Sequence, residues 1–329
     1  MMNASKITSA MLAFLLLVSC NKSVPDELVV IAGSGAPGFT DGMASELNKP
    51  IRFSKYKDNS LLFADINNHA IRIVDENGEV TTIAGGPGKS GFADGDVDTA
   101  RLSGPHGVAY DAKANKIFMA SARNHVIREI SETDNGEFMV RTIAGIPETS
   151  GYKDGSVDSA LFRSPHGVLV REDGALVVID IGNAKLRLIK DGMVSTLAGK
   201  TEDDPLQVDW LYPIDIVFDG TDVLVCDAGN HKLYRVIPGV SVEAIPLMDS
   251  LDTPHGIAVD EKSTIYIAEM GTNRILKIDK DGSLTILVDA TTDTTAVSSL
   301  NRPAAVMYDL GYLWIADLDN HQLKRLNVR

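Results

Sequence analysis

Six related segments follow one another along the chain, and this repetition limits the possible folds more than any other feature. Each segment opens at a proline and continues as a short apolar strand, as in PHGVAYD (105–111). A second strand ends in an acidic or small polar residue, as in LVVID (176–180), and a turn with asparagine leads into a third strand. The opening residues are Pro50, Pro105, Pro165, Pro213, Pro254 and Pro303. Short β-branched runs bounded by Gly, Asp and Asn predict antiparallel strands joined by tight turns.

The ends of the chain predict how these segments are arranged. The sixth segment stops after its third strand, LKRLNVR (323–329), and LVVIAG (28–33) resembles the fourth strand of the first segment, VTTIAG (80–85). Units of about 40–60 residues with four strands each are typical of propeller blades. We therefore predict an all-β fold, a six-bladed β-propeller of four-stranded antiparallel blades that forms a single domain over residues 28–329. The N-terminal strand completes the last blade, which removes two open edges.

The text of the repeat resembles that of a known family. The pattern P-H-G-[IV]-A-x-D followed by A-D-x-x-N-H-x-I-R is similar to the NHL repeat of six-bladed propellers, and the resemblance covers nearly all of 28–329. Three blades depart from it, because blade two has Ser121 in place of the acid, blade four has Ile-Asp (214–215) after its proline, and blade six has Ala-Ala (304–305). That family includes binding modules, scaffolds and a few enzymes, so the resemblance implies the fold and leaves the activity open.

The first residues predict export and a lipid anchor. The apolar run 7–18 is too short for a membrane-spanning helix and suits a signal peptide. The sequence LVSC (17–20) resembles the bacterial lipobox, whose cysteine becomes the lipidated first residue of the mature protein; an ordinary secretory signal with a chance cysteine is the alternative. We expect a signal peptide at 1–19, a lipidated Cys20 with a polar tether over 20–27, and attachment to a membrane of the bacterial cell envelope, facing the periplasm or the outside.

The charge of the chain restricts its partners. The sequence has 31 Lys and Arg against 45 Asp and Glu, a formal net charge of −14. Such a surface repels nucleic acid and anionic membranes, because both are bound through Lys and Arg. We therefore expect no nucleic-acid partner, membrane attachment through the lipid alone, and a monomer that binds a protein or a small molecule. The second cysteine, Cys226, stands in an apolar run, so we expect no disulfide in the mature chain.

The seven histidines occupy two slots of the repeat. Four follow the turn asparagine, where the residue type varies between blades, which predicts a structural and tolerant outer position: His69, His125, His231 and His321. Three follow the opening proline: His106, His166 and His255. Because the first strand of a propeller blade lines the central channel, we expect these three to converge at one mouth. Three neutral imidazoles with an open position suit zinc or another divalent transition metal, at Zn–N distances of about 2.0–2.1 Å; bonding to the backbone of a neighbouring blade is the alternative.

A second, narrower resemblance concerns these three histidines. Peptidyl-hydroxyglycine amidating lyases hold zinc on a propeller axis through histidines in similar Pro-His positions of alternate blades. Here blades three and five match, but blade one has Ile51 and the third histidine lies on blade two, so the resemblance implies a metal site rather than that reaction. Asp215 is a candidate fourth ligand or a partner of a ligand, and Arg52 is a candidate receptor for an anionic substrate. Lactonase-type propellers bind calcium through carboxylates and amides, and only Asp215 stands in the corresponding slot.

The connections between blades cross the same mouth. Three of them share the text G-[FY]-x-D-G, at 38–42, 91–95 and 151–155. The acidic run 94–98 lacks the glycine and glutamate spacing of an EF-hand. We therefore predict structural loops packed by their own side chains rather than calcium sites.

Two further groups of side chains belong to this mouth. The sequence VDWLYP (208–213) puts Trp210 and Tyr212 beside the channel, where they either stack on a sugar or another flat ligand or pack in the core. The second strands end in acids that we expect to bond the following turn and, together, to attract cations: Asp65, Asp180, Asp227, Glu269 and Asp317.

These features support three functional hypotheses. The first is an envelope-anchored binding module that recognises a protein partner or a small ligand at the loop-decorated mouth of the channel. The second is a metal-dependent lyase or hydrolase that uses His106, His166 and His255. The third is a structural scaffold of the envelope that binds no small ligand. The sequence contains no hydrolase nucleophile motif, phosphate-binding glycine loop or Cys-rich metal cluster.

Overall fold

The computed structural model describes residues 28–200, 208–290 and 299–329. The predicted signal peptide, the tether and Cys20 lie outside these residues. Within them the chain forms six antiparallel sheets, one for each repeat segment, which confirms the predicted six-bladed β-propeller. No helix in this part of the chain has the length and apolar character needed to cross a membrane.

Each blade is named by its segment, and its strands are numbered along the chain. Strand β1 (Val29–Ala32) belongs to the last blade. Blade one contains β2 Pro50–Lys55, β3 Leu61–Asp65, β4 Ala70–Val74 and β5 Val80–Gly85. Blade two contains β6 Gly95–Asp96, β7 Pro105–Asp111, β8 Lys116–Ser121, β9 Val126–Glu132 and β10 Phe138–Ala144. Blade three contains β11 Gly155–Ser156, β12 Pro165–Val170, β13 Leu176–Asp180, β14 Lys185–Lys190 and β15 Met193–Ala198.

The other three blades have four strands each. Blade four contains β16 Pro213–Asp219, β17 Asp222–Asp227, β18 Lys232–Ile237 and β19 Ser241–Ala244. Blade five contains β20 Pro254–Val259, β21 Ile265–Glu269, β22 Arg274–Ile278 and β23 Leu284–Asp289. Blade six contains β24 Pro303–Asp309, β25 Tyr312–Asp317 and β26 Gln322–Asn327. Short 3-10 turns lie at Lys57–Asn59, Ile66–Asn68, Ala122–Asn124, Ile181–Asn183 and Leu318–Asn320.

The ring closes as the sequence predicts. Strand β1 pairs antiparallel with β26, with Val29 opposite Arg325 and Val30 opposite Lys324. The last blade is therefore built from both ends of the described chain. The two strands that would otherwise carry unpaired backbone groups satisfy each other, because N–H and C=O groups at a sheet edge need partners.

Four of the six connections between neighbouring blades use the turn histidines. Each Nδ1 accepts a hydrogen bond from the backbone N–H that precedes the next opening proline, at 3.0–3.3 Å: His69 from Gly104, His125 from Ser164, His231 from Thr253 and His321 from Lys49. Between blades five and six the amide oxygen of Asn273 accepts the corresponding bond from Arg302, at 2.7 Å. The prediction of a structural role therefore fits, but these positions are not tolerant outer ones, since each ring joins two blades.

The three G-[FY]-x-D-G loops are packed against a buried arginine of the third strand. Arg187 of β14 donates to Asp154, to the Lys153 carbonyl and to the Leu161 carbonyl. The ring of Tyr152 covers the guanidinium at 5.0 Å. Arg72 and Arg128 hold the other two loops in the same way. The loops are thus packed structural loops, as predicted, because their carboxylates and carbonyls already have cationic partners.

The acids that end the second strands are buried rather than displayed. All five are 0% exposed, and Asp65 accepts bonds from the Asn48 N–H, the Asn68 amide and the Arg72 guanidinium. The prediction that these acids bond the following turn is confirmed for Asp65, which accepts a hydrogen bond from the turn residue Asn68. The prediction that they attract cations to the face is corrected, because a fully buried and hydrogen-bonded carboxylate projects little field to a ligand in solvent.

Candidate functional site at the channel

The first strands of the six blades surround the channel and lie unusually close together. A Cβ on Gly107 would lie 2.2 Å from the carbonyl oxygen of His166 on blade three, and one on Gly256 would lie 2.6 Å from Cα of Ala305 on blade six. The Gly107 Cβ would also lie 3.0 Å from Cα of Gly167, so residues at the same distance from their prolines are neighbours and these strands run in one direction. All six opening prolines therefore lie at one end of the channel, which we call the histidine mouth. The other end, where Lys55, Val170 and Asp219 end their strands, is the strand-end mouth.

Two of the three predicted histidines form a stacked pair at the histidine mouth. The rings of His106 and His166 are 3.8 Å apart between centroids and 18° from parallel. The Nδ1 atoms of both rings are buried without a partner, and neither ring bonds to any described residue. The third histidine behaves differently, because the Nδ1 of His255 lies 2.7 Å from the carbonyl oxygen of Ala304 on the next blade.

All three rings are neutral at pH 7. Burial, together with the nearby positive charges of Arg52 and Arg123, lowers the pKa of His106 to about 3. Burial lowers the pKa of His255 to about 3, again with Arg52 beside it. Burial, together with His106 and Arg52, holds the pKa of His166 well below 6.5. Removing a charged imidazolium from water is unfavourable, and the neighbouring arginine adds repulsion.

This arrangement does not gather the three histidines around one metal ion. A bound ion lies near the plane of each imidazole, and two nearly parallel planes 3.8 Å apart meet far beyond the roughly 2.0–2.1 Å of a Zn–N bond. Among the described ranges, no group of three His, Cys, Asp or Glu side chains is placed to hold a metal. Metal binding would require the stacked pair to separate and His255 to leave the Ala304 carbonyl.

Beneath the histidines an arginine crosses the channel. Arg52 of blade one donates through Nη2 to the Ile214 carbonyl at 2.6 Å and through Nη1 to the Ala304 carbonyl at 3.2 Å. Its Nη1 lies 3.0 Å from a carboxylate oxygen of Asp215 on blade four, the blade opposite. Arg52 has φ 51°, in the left-handed region that non-glycine residues rarely adopt. Arg52 stands in the slot that is glycine on blades two, three and five, although those glycines do not have a positive φ.

Asp215 does not act as a metal ligand or as a free carboxylate in this arrangement. Its two oxygens accept the backbone N–H groups of Ile216 and Ile257, at 2.8 and 3.0 Å. Burial raises the pKa of Asp215, and the Arg52 charge opposes this rise. Arg52 and Asp215 are 5% and 6% exposed, so the predicted receptor for an anionic substrate is instead one half of an internal ion pair.

Sequence reasoning missed a rim of arginines around the histidine mouth. The Arg123 side chain packs over Gly104, just before the first strand of blade two, and makes no salt bridge with a described residue. Arg302 stands directly before Pro303 and pairs with Asp319 at 3.2 Å. Both arginines are exposed. The charge of Arg123 lowers the pKa of His106, and the charge of Arg302 lowers the pKa of His255. The sequence did contain a sign of this rim, because Arg123 stands next to the turn asparagine of blade two and Arg302 stands next to the opening proline of blade six.

The predicted aromatic residues separate into one buried and one exposed ring. Trp210 is 6% exposed and packs edge-on against Tyr234 at 6.1 Å, so the core-packing alternative describes it. Tyr212 is 47% exposed and its neighbour Leu211 is 67% exposed. Tyr212 is therefore the aromatic side chain of this segment that a ligand can reach.

Comparison with known proteins decides the family. NHL repeat-containing protein 2 from Gallus gallus is 38% identical over 330 residues, which cover 82% of this chain and 45% of that protein. The Homo sapiens protein of the same name is 32% identical over 333 residues, covering 90% of this chain and 41% of the relative. The chain is an NHL-repeat β-propeller. It spans less than half the length of these curated relatives, and no protein-family model matches the sequence.

The solved structures that share this propeller fold include both enzymes and binding proteins. A gluconolactonase from Xanthomonas campestris superposes with a TM-score of 0.63 at 13% identity, over 92% of this chain and 89% of that one. An auxiliary nutrient binding protein from Bacteroides thetaiotaomicron gives a TM-score of 0.65 at 11% identity, over 91% and 76%. At such low identity the likeness concerns the fold alone. The NHL-repeat fold is compatible with a binding or scaffold module, and any ligand must be argued from this chain's own site.

Proposed function

We propose that this NHL-repeat propeller is an envelope-anchored binding module that takes a small anionic molecule at its histidine mouth. The observation that carries the proposal is the stacked pair His106 and His166, whose buried Nδ1 atoms have no partner among the described residues, beneath the rim formed by Arg123 and Arg302. Buried polar atoms in folded proteins almost always have partners, so two unpartnered imidazoles at a channel mouth mark a place for a ligand.

The charge of the rim favours an anion. The whole protein carries a formal charge of −14, yet positive side chains stand next to the channel histidines. Positive side chains beside a site raise the local concentration of anions. A neutral imidazole donates through one nitrogen, so each ring of the pair adds a hydrogen-bond donor to the site. Because Asp215 pairs with Arg52 and Asp319 pairs with Arg302, attraction depends most on Arg123, which makes no salt bridge with a described residue.

Calorimetric titration with succinate and with inorganic phosphate, against neutral erythritol, tests this proposal. We expect saturable binding of one or both anions and none of erythritol. Arg123→Gln is expected to weaken anion binding about tenfold, because a charge-assisted hydrogen bond contributes about 1.5–3 kcal/mol. The double variant His106→Phe and His166→Phe keeps two stacked rings without nitrogens, and we expect it to weaken binding about a hundredfold.

Arg171→Gln is the matched control, since this partly exposed arginine stands just beyond β12 at the strand-end mouth. Its affinity for the anions is expected to equal that of the parent protein. No binding of either anion would contradict the proposal and leave the scaffold hypothesis in its place. Equal binding of erythritol and the anions would contradict the preference for an anion. An unchanged affinity in Arg123→Gln would remove the role of the rim.

A metal-dependent lyase or hydrolase is the alternative function. It requires the three histidines to adopt a geometry that the stacked pair and the His255–Ala304 contact oppose. We expect residues 21–329, purified without a histidine tag or chelator, to hold no stoichiometric transition metal in plasma mass spectrometry, with or without added zinc. A stoichiometric metal that is lost in a folded His106→Ala, His166→Ala, His255→Ala variant would make the enzyme the leading hypothesis.

The location in the envelope belongs to the same proposal and rests on the LVSC sequence that ends at Cys20. We expect the full chain, expressed in a bacterium with a lipoprotein pathway, to sediment with membranes, because two signals or a permanent lipid are needed for stable attachment. The Cys20→Ser variant should appear in the soluble envelope fraction instead. Membrane association that survives this substitution would show that the lipid is not the anchor.

A further inference from the structure

A second cavity opens at the strand-end mouth, on the other side of the Arg52–Asp215 pair from the histidines. Its volume is ≈ 210 Å³. Apolar and aromatic side chains of blades one to four form its walls, among them Phe53, Tyr110, Leu169, Val170 and Phe218. The two mouths of the channel are therefore separate chambers, because the ion pair lies between them.

The floor of this cavity carries an unused hydrogen-bond donor. Arg52 lines the cavity and is 5% exposed, and its Nε–H is buried without an acceptor among the described residues. The acceptors of its other nitrogens are Asp215 and the carbonyls of Ile214, His255 and Ala304, all on blades four to six. The cavity is bounded by blades one to four, and Arg52 is the cationic side chain among the residues that line it. A buried donor without a partner is costly, so a ligand group or water that accepted a hydrogen bond from it would be stabilised.

We propose that this cavity is a second binding site, for a neutral molecule of about one aromatic ring that carries a hydrogen-bond acceptor. The volume fits this size, since an apolar cavity of about 150 Å³ accommodates benzene. The aromatic walls favour a flat, apolar body. The acceptor of the ligand would accept a hydrogen bond from the Arg52 Nε–H. A ligand charge of either sign is disfavoured, because Arg52 is already paired with Asp215.

The entrance of the cavity allows a substituent to leave towards solvent. Val170 and Phe218 also line a groove of ≈ 620 Å³ that continues outwards between blades three and four past Arg171, Glu172 and Thr221. A ligand whose aromatic ring carries one polar group and, on the opposite side, a short chain fits this arrangement. The ring would occupy the cavity and the chain would lie in the groove. This inference does not depend on the anion site, which lies at the other mouth.

Ligand-observed NMR titration of the mature chain with three probes tests the inference. Acetophenone has a ring and a carbonyl acceptor, ethylbenzene lacks the oxygen, and benzoate adds a charge. We expect saturable binding of acetophenone, at least about tenfold tighter than that of ethylbenzene or benzoate. Saturating succinate is expected to leave acetophenone binding unchanged, because it competes only at the histidine mouth.

Three variants identify the site. Val170→Trp should fill the entrance and abolish acetophenone binding, and Phe218→Ala should weaken it about tenfold through lost wall contact. Tyr308→Ala is the matched control, since Tyr308 occupies on blade six the slot that Phe218 occupies on blade four and does not line the cavity. Circular dichroism confirms that each variant is folded. Equal affinity for acetophenone and ethylbenzene, no saturable acetophenone binding, or full binding by a folded Val170→Trp variant would overturn the inference.

Discussion

Replacing Arg52 by methionine lowers the free energy of unfolding by about 3 to 5 kcal/mol, because removing one partner of a buried ion pair leaves the other charge uncompensated. The remaining partner, Asp215, is 6% exposed and has no second cation within reach among the described residues. The Ile214 carbonyl loses the Arg52 donor as well, whereas the Ala304 carbonyl keeps its contact with the Nδ1 of His255. Urea unfolding followed by circular dichroism measures the change, and an unaltered dependence on urea concentration shows that the unfolding remains cooperative.

A second substitution and a series of pH values distinguish the loss of stability caused by the unpaired charge of Asp215 from the loss caused by altered packing. The double variant Arg52→Met and Asp215→Asn removes the charge and keeps an oxygen for one of the two backbone N–H groups, so it should recover part of the loss. Without Arg52 the folded pKa of Asp215 rises further above 3.8, so the native state binds a proton that the unfolded state has lost. The stability of Arg52→Met should therefore fall as pH rises from 4 through this raised pKa, whereas that of the double variant should not. A loss under about 1 kcal/mol in the single variant would contradict a stabilising role for Arg52.

Repetition made the architecture readable from the sequence. One proline per segment marked each first strand, and the match between residues 28–33 and the fourth strands placed β1 beside β26. The two-residue strands β6 and β11 were not predicted, because their pairing with β10 and β15 depends on how the loops fold back and carries no period. The turn histidines were assigned to structure, but their bonds to the next blade required the blades to be in place.

The candidate site was predictable only in its location. The Pro-His slot correctly put His106 and His166 at one mouth, but ring orientation depends on packing, so a stacked pair and a shared metal look the same in sequence. Arg52 and Asp215 occupy the same slot on opposite blades, and only the diameter of the channel shows that they meet across it. Burial of Trp210 likewise follows from the position of Tyr234, which lies 24 residues further along the chain. Side-chain chemistry was visible, whereas distances across the ring were not.

Substitution of the glycine that follows a channel histidine is the second change for which we expect a large loss of stability. Gly107→Ala is expected to destabilise the protein by about 3 kcal/mol, at the upper end for overpacking, because its Cβ would lie 2.2 Å from a backbone oxygen that cannot rotate away. That oxygen belongs to His166, so the inner strands of blades two and three must separate and the stacked histidines with them. We expect anion binding at the histidine mouth to weaken as well, measured by the succinate titration alongside urea unfolding.

Gly220→Ala is the control for this substitution. It has nothing within 4 Å of its added Cβ, and with φ 64° it tests only the cost of a left-handed backbone, about 1 kcal/mol. It lies in the loop between β16 and β17 at the strand-end mouth, so anion binding should remain at the parent level. A Gly107→Ala variant as stable as Gly220→Ala would mean that the first strands can move apart freely. The Pro-His-Gly repeat would then owe its glycine to something other than the close approach of neighbouring blades.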